Sequence, residues 1–197
     1  IPRVAVHQLT KNDSSNTGGG KHSTWEFPPF FHAFLQKTAL PKAQIHGKVI
    51  SLQLQNMQAM KNRQKRAIII GATSGIGLEM VKVLTAQGWQ VGIAGRRQER
   101  LQQIQSKNLD VVATECIDIT KEDAPKRLLT LIGKTGGMNL YFHSAGVGYQ
   151  NPALDMEKEM TTVATNVTGF TQMVDTAFHY FMEHPDREAH LAVISSI

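Results

Sequence analysis

Three glycines, at 71, 75 and 77, follow an apolar run of strand length, Arg66-Ala-Ile-Ile-Ile, and precede a segment whose Ile76, Met80, Val83 and Leu84 share one helical face. Strand, turn and helix in that order leave backbone N–H groups unpaired at a helix N-terminus. Those donors and the positive end of the helix dipole favour an anion. A Cβ in the turn would hold a pyrophosphate off the backbone, so the glycines fit a dinucleotide cradle comprising Gly71, Thr73, Ser74, Gly75, Ile76 and Gly77. About 20 residues further on, where an acid would bind the ribose 2′-OH of NAD, stands Arg96, followed by Arg97. An arginine pairs instead with a 2′-phosphate, through charge-assisted hydrogen bonds worth roughly 1.5–3 kcal/mol. The expected cofactor is therefore NADP(H), with NAD the second choice.

The elements that must position these groups alternate from residue 66 onward. A second strand over 90–94 leads to Arg96 and a short helix carrying Leu101 and Ile104. A third over 111–116 leads to Asp118-Ile119-Thr120. Thr120-Lys-Glu-Asp123 has the pattern of a capping box, and Ala124, Leu128, Leu131 and Ile132 form the buried stripe of the helix behind it. A fourth strand over 139–142 ends in His143-Ser144-Ala145-Gly146. One long helix is predicted next, burying Val163, Val167, Phe170, Val174, Ala177, Phe178 and Phe181 with Asn166 at the margin, and a fifth strand follows over 191–194. Strands alternating with helices imply right-handed crossovers and a parallel sheet covered on both faces, with ligands bound beyond the carboxyl ends of the strands. Every polar group of interest falls at such an end: the glycine turn, Arg96 and Arg97, Asp118, Ser144 to Gly146, and Ser195 with Ser196.

Across residues 66–197 the sequence resembles the short-chain dehydrogenase/reductase family. The resemblance rests on Gly71-x-x-x-Gly75-x-Gly77, Asp118 in Asp-Ile-Thr, Ser144-Ala-Gly146, Asn166 in Thr-Asn-Val-Thr-Gly, and the serines 195 and 196. It implies an α/β fold, a Rossmann-like doubly wound parallel sheet in three layers, incomplete at the C-terminus, and a carbonyl or alcohol as small-molecule substrate. It also implies roles. Asp118, with Ile119 beside it, would touch the adenine, and Ser144, Ala145 and Gly146 would border the cofactor. Asn166 would hold a water in a proton relay, Ser196 would hydrogen-bond the substrate oxygen, and Ser195 would be structural. A homo-oligomer is the family expectation for the full-length protein.

Two departures from the family pattern limit what carries over. His143 and Ser144 stand where the family has paired asparagines, and Tyr-x-x-x-Lys is absent: Tyr141, Tyr149 and Tyr180 are followed four residues later by Ala145, Ala153 and His184. In the family that tyrosine donates the proton that an alkoxide needs after hydride transfer, its pKa lowered by the lysine ammonium. Turnover by these 197 residues alone is therefore not expected. With Ile at position 1 and a strand running up to Ile197, the sequence reads as a fragment that stops before that motif. A nucleotide-binding protein of the same fold without catalysis is the alternative.

Composition bounds the remaining choices. Residues 1–60 hold six Lys/Arg against two Asp/Glu, and residues 61–197 hold fifteen against fourteen. The basicity lies in the extension, so nucleic-acid binding by the fold has little electrostatic support, and Lys61 to Arg66 reads as a solvated flank. The extension, with its aromatic cluster Trp25, Phe27, Phe30, Phe31 and Phe34, is expected to be poorly ordered or foreign to the fold that begins near residue 61. Its histidines 7, 22, 32 and 46 lack metal-site spacing, so no metal is expected. A single cysteine, Cys116, fits a reducing, cytoplasmic setting, and no apolar run reaches membrane-spanning length.

Overall fold

Five apolar strands follow one another at the spacing of strand-helix units, and the structure, a computed structural model describing residues 4–10 and 64–195, pairs them into one sheet. They are β2 (Arg66–Ile70), β3 (Gln90–Gly95), β4 (Val111–Cys116), β5 (Leu140–His143) and β6 (Ala189–Ser195). A further strand, β1 (Val4–Thr10), stands at the edge beside β6, within the region where the sequence showed no sustained period. The order is β1-β6-β5-β2-β3-β4, and the pairs β2–β3, β3–β4, β2–β5 and β5–β6 are all parallel. From β2 the chain first builds outward through β3 and β4, then returns to build through β5 and β6. That reversal opens a crevice at the tip of β2, the topological switch point of a doubly wound sheet.

Both faces are covered, as the parallel strands β2 to β6 require. On one face Ile68, Ile70, Tyr141 and Leu191 pack against α3 (Ala124–Thr135) and α5 (Phe170–Glu183), through Leu128, Leu131, Met173, Ala177 and Phe181. Residues of opposite parity, among them Ala67, Ile69, Val91, Ile93 and Phe142, are equally buried. They lie on the other face, where α1 (Gly75–Ala86) and α2 (Gln98–Ser106) contribute Met80, Leu84, Leu101 and Ile104. Each such aliphatic side chain stabilises the fold by roughly 1.5–3 kcal/mol of burial. The α3 stripe is the expected one, Ala124, Leu128, Leu131 and Ile132, joined by Thr135. In α1 the buried face is turned slightly: Gly77 and Val81 accompany Met80 and Leu84, whereas Ile76 and Val83 are half-exposed.

Two local expectations are corrected. Thr120 to Asp123 do not form a capping box. Asp118 Oδ1 accepts from the Thr120 amide at 3.0 Å and the Thr120 hydroxyl at 2.8 Å, while Asp123 pairs with Arg127 at 2.7 Å and α3 begins at Ala124 without a side-chain cap. The side-chain turn at Asp118 has captured the threonine that the box required. The single long helix is instead α4 (Met156–Val163), a π-helical turn (Ala164–Gly169) and α5. The wider turn rotates the buried face onto Thr165, Gly169, Met173, Ala177 and Phe181, in steps of four. Val163, Val167 and Phe178 are left 44%, 56% and 40% exposed. Gly169 explains the choice, because a Cβ there would lie 2.7 Å from the Ile119 carbonyl oxygen. The extension's aromatic cluster, its histidines 22, 32 and 46, and Ser196 lie outside the described residues.

Candidate cofactor cleft

The turn between β2 and α1 is held by two neighbouring strand tips. The amides of Gly71 and Ala72 both donate to the Ala94 carbonyl at 3.0 Å, which fixes the turn to the end of β3. Gly71 has φ +87°, and a Cβ on it would lie 2.7 Å from the Ala145 nitrogen at the end of β5. A Cβ on Gly77 would lie 2.3 Å from the Gly71 oxygen and 2.5 Å from Ser144 Oγ. Side chains at 71 or 77 would therefore push the turn off its supports. Gly75, at φ +54°, has open space around it and is needed for its backbone conformation alone.

Beyond this turn lies a cleft of about 630 Å³. Gly71, Thr73, Ser74, Gly75, Ile76 and Gly77 line it from β2, Arg96 and Arg97 from β3, Asp118 and Ile119 from β4, and Ser144, Ala145 and Gly146 from β5. Thus every residue assigned to cofactor binding from the sequence reaches one cavity. Thr165 and Val147 line it too and were not singled out from the sequence. Thr165 reaches the cleft because the π-helical turn sets it on the buried face with Gly169.

Ser74 is the N-cap residue of α1, yet its side chain makes no capping bond and the first turn of the helix carries no acidic residue. The unpaired amides there can accept an anion. Arg97 lies across the turn: Nε and Nη2 donate to Thr73 Oγ1 at 3.2 and 2.7 Å, and Nη2 donates to Ser74 Oγ at 2.8 Å. Arg96 is exposed, and its guanidinium makes no hydrogen bond among the described residues. Burial works against the charge of Asp118. The hydrogen bonds from Thr120 outweigh it, with Arg96 and Lys121 adding to them, so the carboxyl is held below its ordinary range.

At the end of β5, His143 and Ser144, which replace the paired asparagines of the family pattern, supply their own hydrogen bonds. Ser144 donates from Oγ to the Ile70 carbonyl at 2.9 Å, as does its amide at the same distance, which joins the tips of β5 and β2. His143 is buried; Nε2 lies 3.1 Å from the Ala145 carbonyl oxygen and Nδ1 lies 2.8 Å from the Tyr141 hydroxyl. A carbonyl only accepts, so Nε2 carries the proton and Nδ1 accepts from Tyr141. Burial pushes the His143 pKa down to about 4, against a smaller opposing effect of the Ala145 carbonyl, so the ring is neutral at pH 7.

Asn166 is not part of the cleft lining. Its Oδ1 accepts from the Val147 amide at 2.9 Å and its Nδ2 donates to the Val147 carbonyl at 2.7 Å, so the side chain clamps the loop after β5. Among the described residues no cluster of three or more His, Cys, Asp or Glu side chains could hold a metal, and no helix is long and apolar enough to cross a membrane.

A doubly wound sheet with a glycine turn at its switch point defines a Rossmann-like protein, and the sequence comparisons narrow the class. The profile described as short chain dehydrogenase matches residues 65–197, and the chain belongs to that family. An uncharacterized oxidoreductase of Myxococcus xanthus is 32% identical over 140 residues, covering 68% of this chain and 54% of the relative. A glucose 1-dehydrogenase of Gluconobacter oxydans is 30% identical over 127 residues, covering 61% and 48%. The chain thus spans about half the length of these relatives. Among solved structures, a 3-ketoacyl-(acyl-carrier-protein) reductase from Brucella melitensis complexed with NADH superposes with a TM-score of 0.61 at 26% identity, covering 66% of this chain and 56% of that one. A serine dehydrogenase complexed with NADP+ gives 0.60 at 25%, covering 66% and 53%.

Proposed function

We propose that this chain forms the NADP(H)-binding part of an oxidoreductase that interconverts a carbonyl and an alcohol. The observation that carries the reading is Arg96, exposed, with a guanidinium that makes no hydrogen bond among the described residues, at the rim of a cleft whose helix amides have no side-chain cap. The cradle fits a dinucleotide, because a Cβ at Gly71 or Gly77 would collide with the backbone that shapes it. The amides at the start of α1 hold the pyrophosphate, Arg96 pairs with the 2′-phosphate, and Asp118 with Ile119 borders the adenine. The wall formed by Ser144, Ala145 and Gly146 lies along the rest of the cofactor. When bound, the nicotinamide gives or takes the hydride. Asn166 and Ser196 act toward the substrate end, Asn166 on a relay water and Ser196 on the substrate oxygen. For the homo-oligomer expected of the full-length protein, the exposed apolar residues Met160, Val163 and Val167 are the surface we put forward for self-association.

Fluorescence titration tests the cofactor assignment. NADPH should bind roughly tenfold or more tightly than NADH, as a charge-assisted contact to the phosphate implies, and Arg96→Asp should remove or reverse the preference. Equal affinities before mutation would overturn it. A second reading, a protein that holds the nucleotide without turning it over, is the alternative that the 197 residues, which carry no Tyr-x-x-x-Lys, allow without favouring. Reading the coding DNA past Ile197 separates the two: a frame continuing into that motif supports the enzyme, and a stop codon supports the binding protein.

A further inference from the structure

Resting on the dinucleotide reading, we infer that Arg97 is a positioning residue that keeps the N-cap serine of α1 from capping its own helix, and so keeps the phosphate-binding amides open. Serine at an N-cap ordinarily accepts from the amide two or three residues on. Here those amides belong to Ile76 and Gly77, and the Ser74 side chain accepts from neither. The backbone is not the obstacle. Ser74 has φ −165° and ψ 173°, the extended conformation in which capping residues sit, and its carbonyl already accepts from Leu78 at 3.3 Å.

What differs is the guanidinium. Arg97 Nη2 holds Ser74 Oγ at 2.8 Å while also gripping Thr73 Oγ1 at 2.7 Å. Thr73 in turn packs against Gly95, where a Cβ would approach Thr73 Cγ2 to 3.0 Å, so the anchor is fixed to the tip of β3. Arg97 thereby draws the hydroxyl toward β3 and away from the helix. An internal cap and a bound phosphate compete for the same donors, and the arginine removes the internal competitor. The two arginines then divide the work: Arg96 tells NADPH from NADH, whereas Arg97 strengthens both equally.

The test combines amide exchange in the ligand-free protein with titration by NADPH and by NADH, for the wild type, Arg97→Ala and Arg97→Ala/Ser74→Ala. Arg97 is exposed, so its removal leaves the fold intact. In Arg97→Ala the amides of Ile76 and Gly77 should exchange several-fold more slowly, and both dinucleotides should bind more weakly by the same factor, roughly five- to tenfold for one competing hydrogen bond. Removing the Ser74 hydroxyl as well should restore fast exchange and recover the larger share of the lost affinity. Weakening confined to NADPH would mean that Arg97 contacts the 2′-phosphate, and unchanged exchange would mean that Ser74 does not turn inward; either overturns the inference. If the wild type binds neither dinucleotide, the proposed function fails, and the exchange of Ile76 and Gly77 alone decides on Arg97.

Discussion

The Tyr141 hydroxyl donates to Nδ1 of His143 at 2.8 Å, and both rings lie buried at the tip of β5, with Phe170 edge-on to the imidazole at 5.1 Å. This pair makes stability depend on acid. The folded His143 titrates near 4, well below the ordinary value of 6.5, because protonation would place a charge in the core. Between those values the unfolded chain binds a proton that the folded one does not, so stability is full above about pH 6.5, falls as the pH drops toward 4 and levels off below. The shift corresponds to roughly 3 kcal/mol at most. Urea unfolding midpoints measured from pH 7.5 to pH 4 should show this slope in the wild type. His143→Asn should flatten it; a slope unchanged by that substitution would assign the acid sensitivity elsewhere.

Gly77 and Gly75 stand two residues apart in the same motif and should respond differently to alanine. At Gly77 the new methyl would meet the Gly71 oxygen at 2.3 Å and Ser144 Oγ at 2.5 Å, and backbone cannot rotate aside as a side chain can. Overpacking of that kind costs about 1–3 kcal/mol or more, and dinucleotide affinity should fall with it. At Gly75 nothing lies within 4 Å, so only the positive φ opposes alanine, at about 1–2 kcal/mol. Chemical denaturation of the two variants, with NADPH titration alongside, tests the ranking; a larger loss of stability at Gly75 would contradict it.

The difference between these glycines was not legible in the spacing, which shows a motif without the neighbours that enforce it. The sheet was legible, because β2 to β6 are short apolar runs whose order fixes the crossovers and whose ends carry the polar residues that meet in the cleft. The helix after β5 was misread for a physical reason. A period near 3.6 assigned Val163, Val167 and Phe178 to the core, but the π-helical turn widens the step and gives the buried face to Thr165, Gly169 and Met173. Nothing local announces that widening. It follows from a tertiary contact, Gly169 against the Ile119 carbonyl. The Thr120 misreading has a local source: Asp118, two residues earlier, takes the hydroxyl that the capping box required.

The exposed apolar residues left by that rotation give a second kind of prediction. Met160 and Val167 are 57% and 56% exposed, so lysine at either position removes little buried area and should alter the unfolding free energy by less than about 0.5 kcal/mol. Should the stripe bury itself against a second copy, Met160→Lys/Val167→Lys would reduce the sedimenting mass of the assembly while leaving the thermal unfolding of the separated chain unchanged. The same mass before and after would exclude these residues from a self-association surface.

Two side chains on the helical segment after β5 brace the loops of the cleft, and solvent decides what each is worth. Asn166 makes both its bonds to Val147 at an exposed position, where water replaces either partner once the side chain is gone. Asn166→Ala should therefore cost less than about 1 kcal/mol of global stability, yet the Val147 amide should lose its protection from hydrogen exchange. Gln172 donates from Nε2 to the Ile119 carbonyl in a part-buried setting and reaches the Lys121 carbonyl at 3.3 Å. Gln172→Leu strands the Ile119 oxygen beside the apolar replacement, which should cost about 1–3 kcal/mol and loosen the Asp118 loop at the adenine end of the cleft. Urea midpoints for the two variants, set beside exchange rates at Val147 and Thr120, measure both effects. A greater global loss from Asn166→Ala than from Gln172→Leu would show that the loop after β5, and not the loop after β4, is the one whose anchorage the fold depends on.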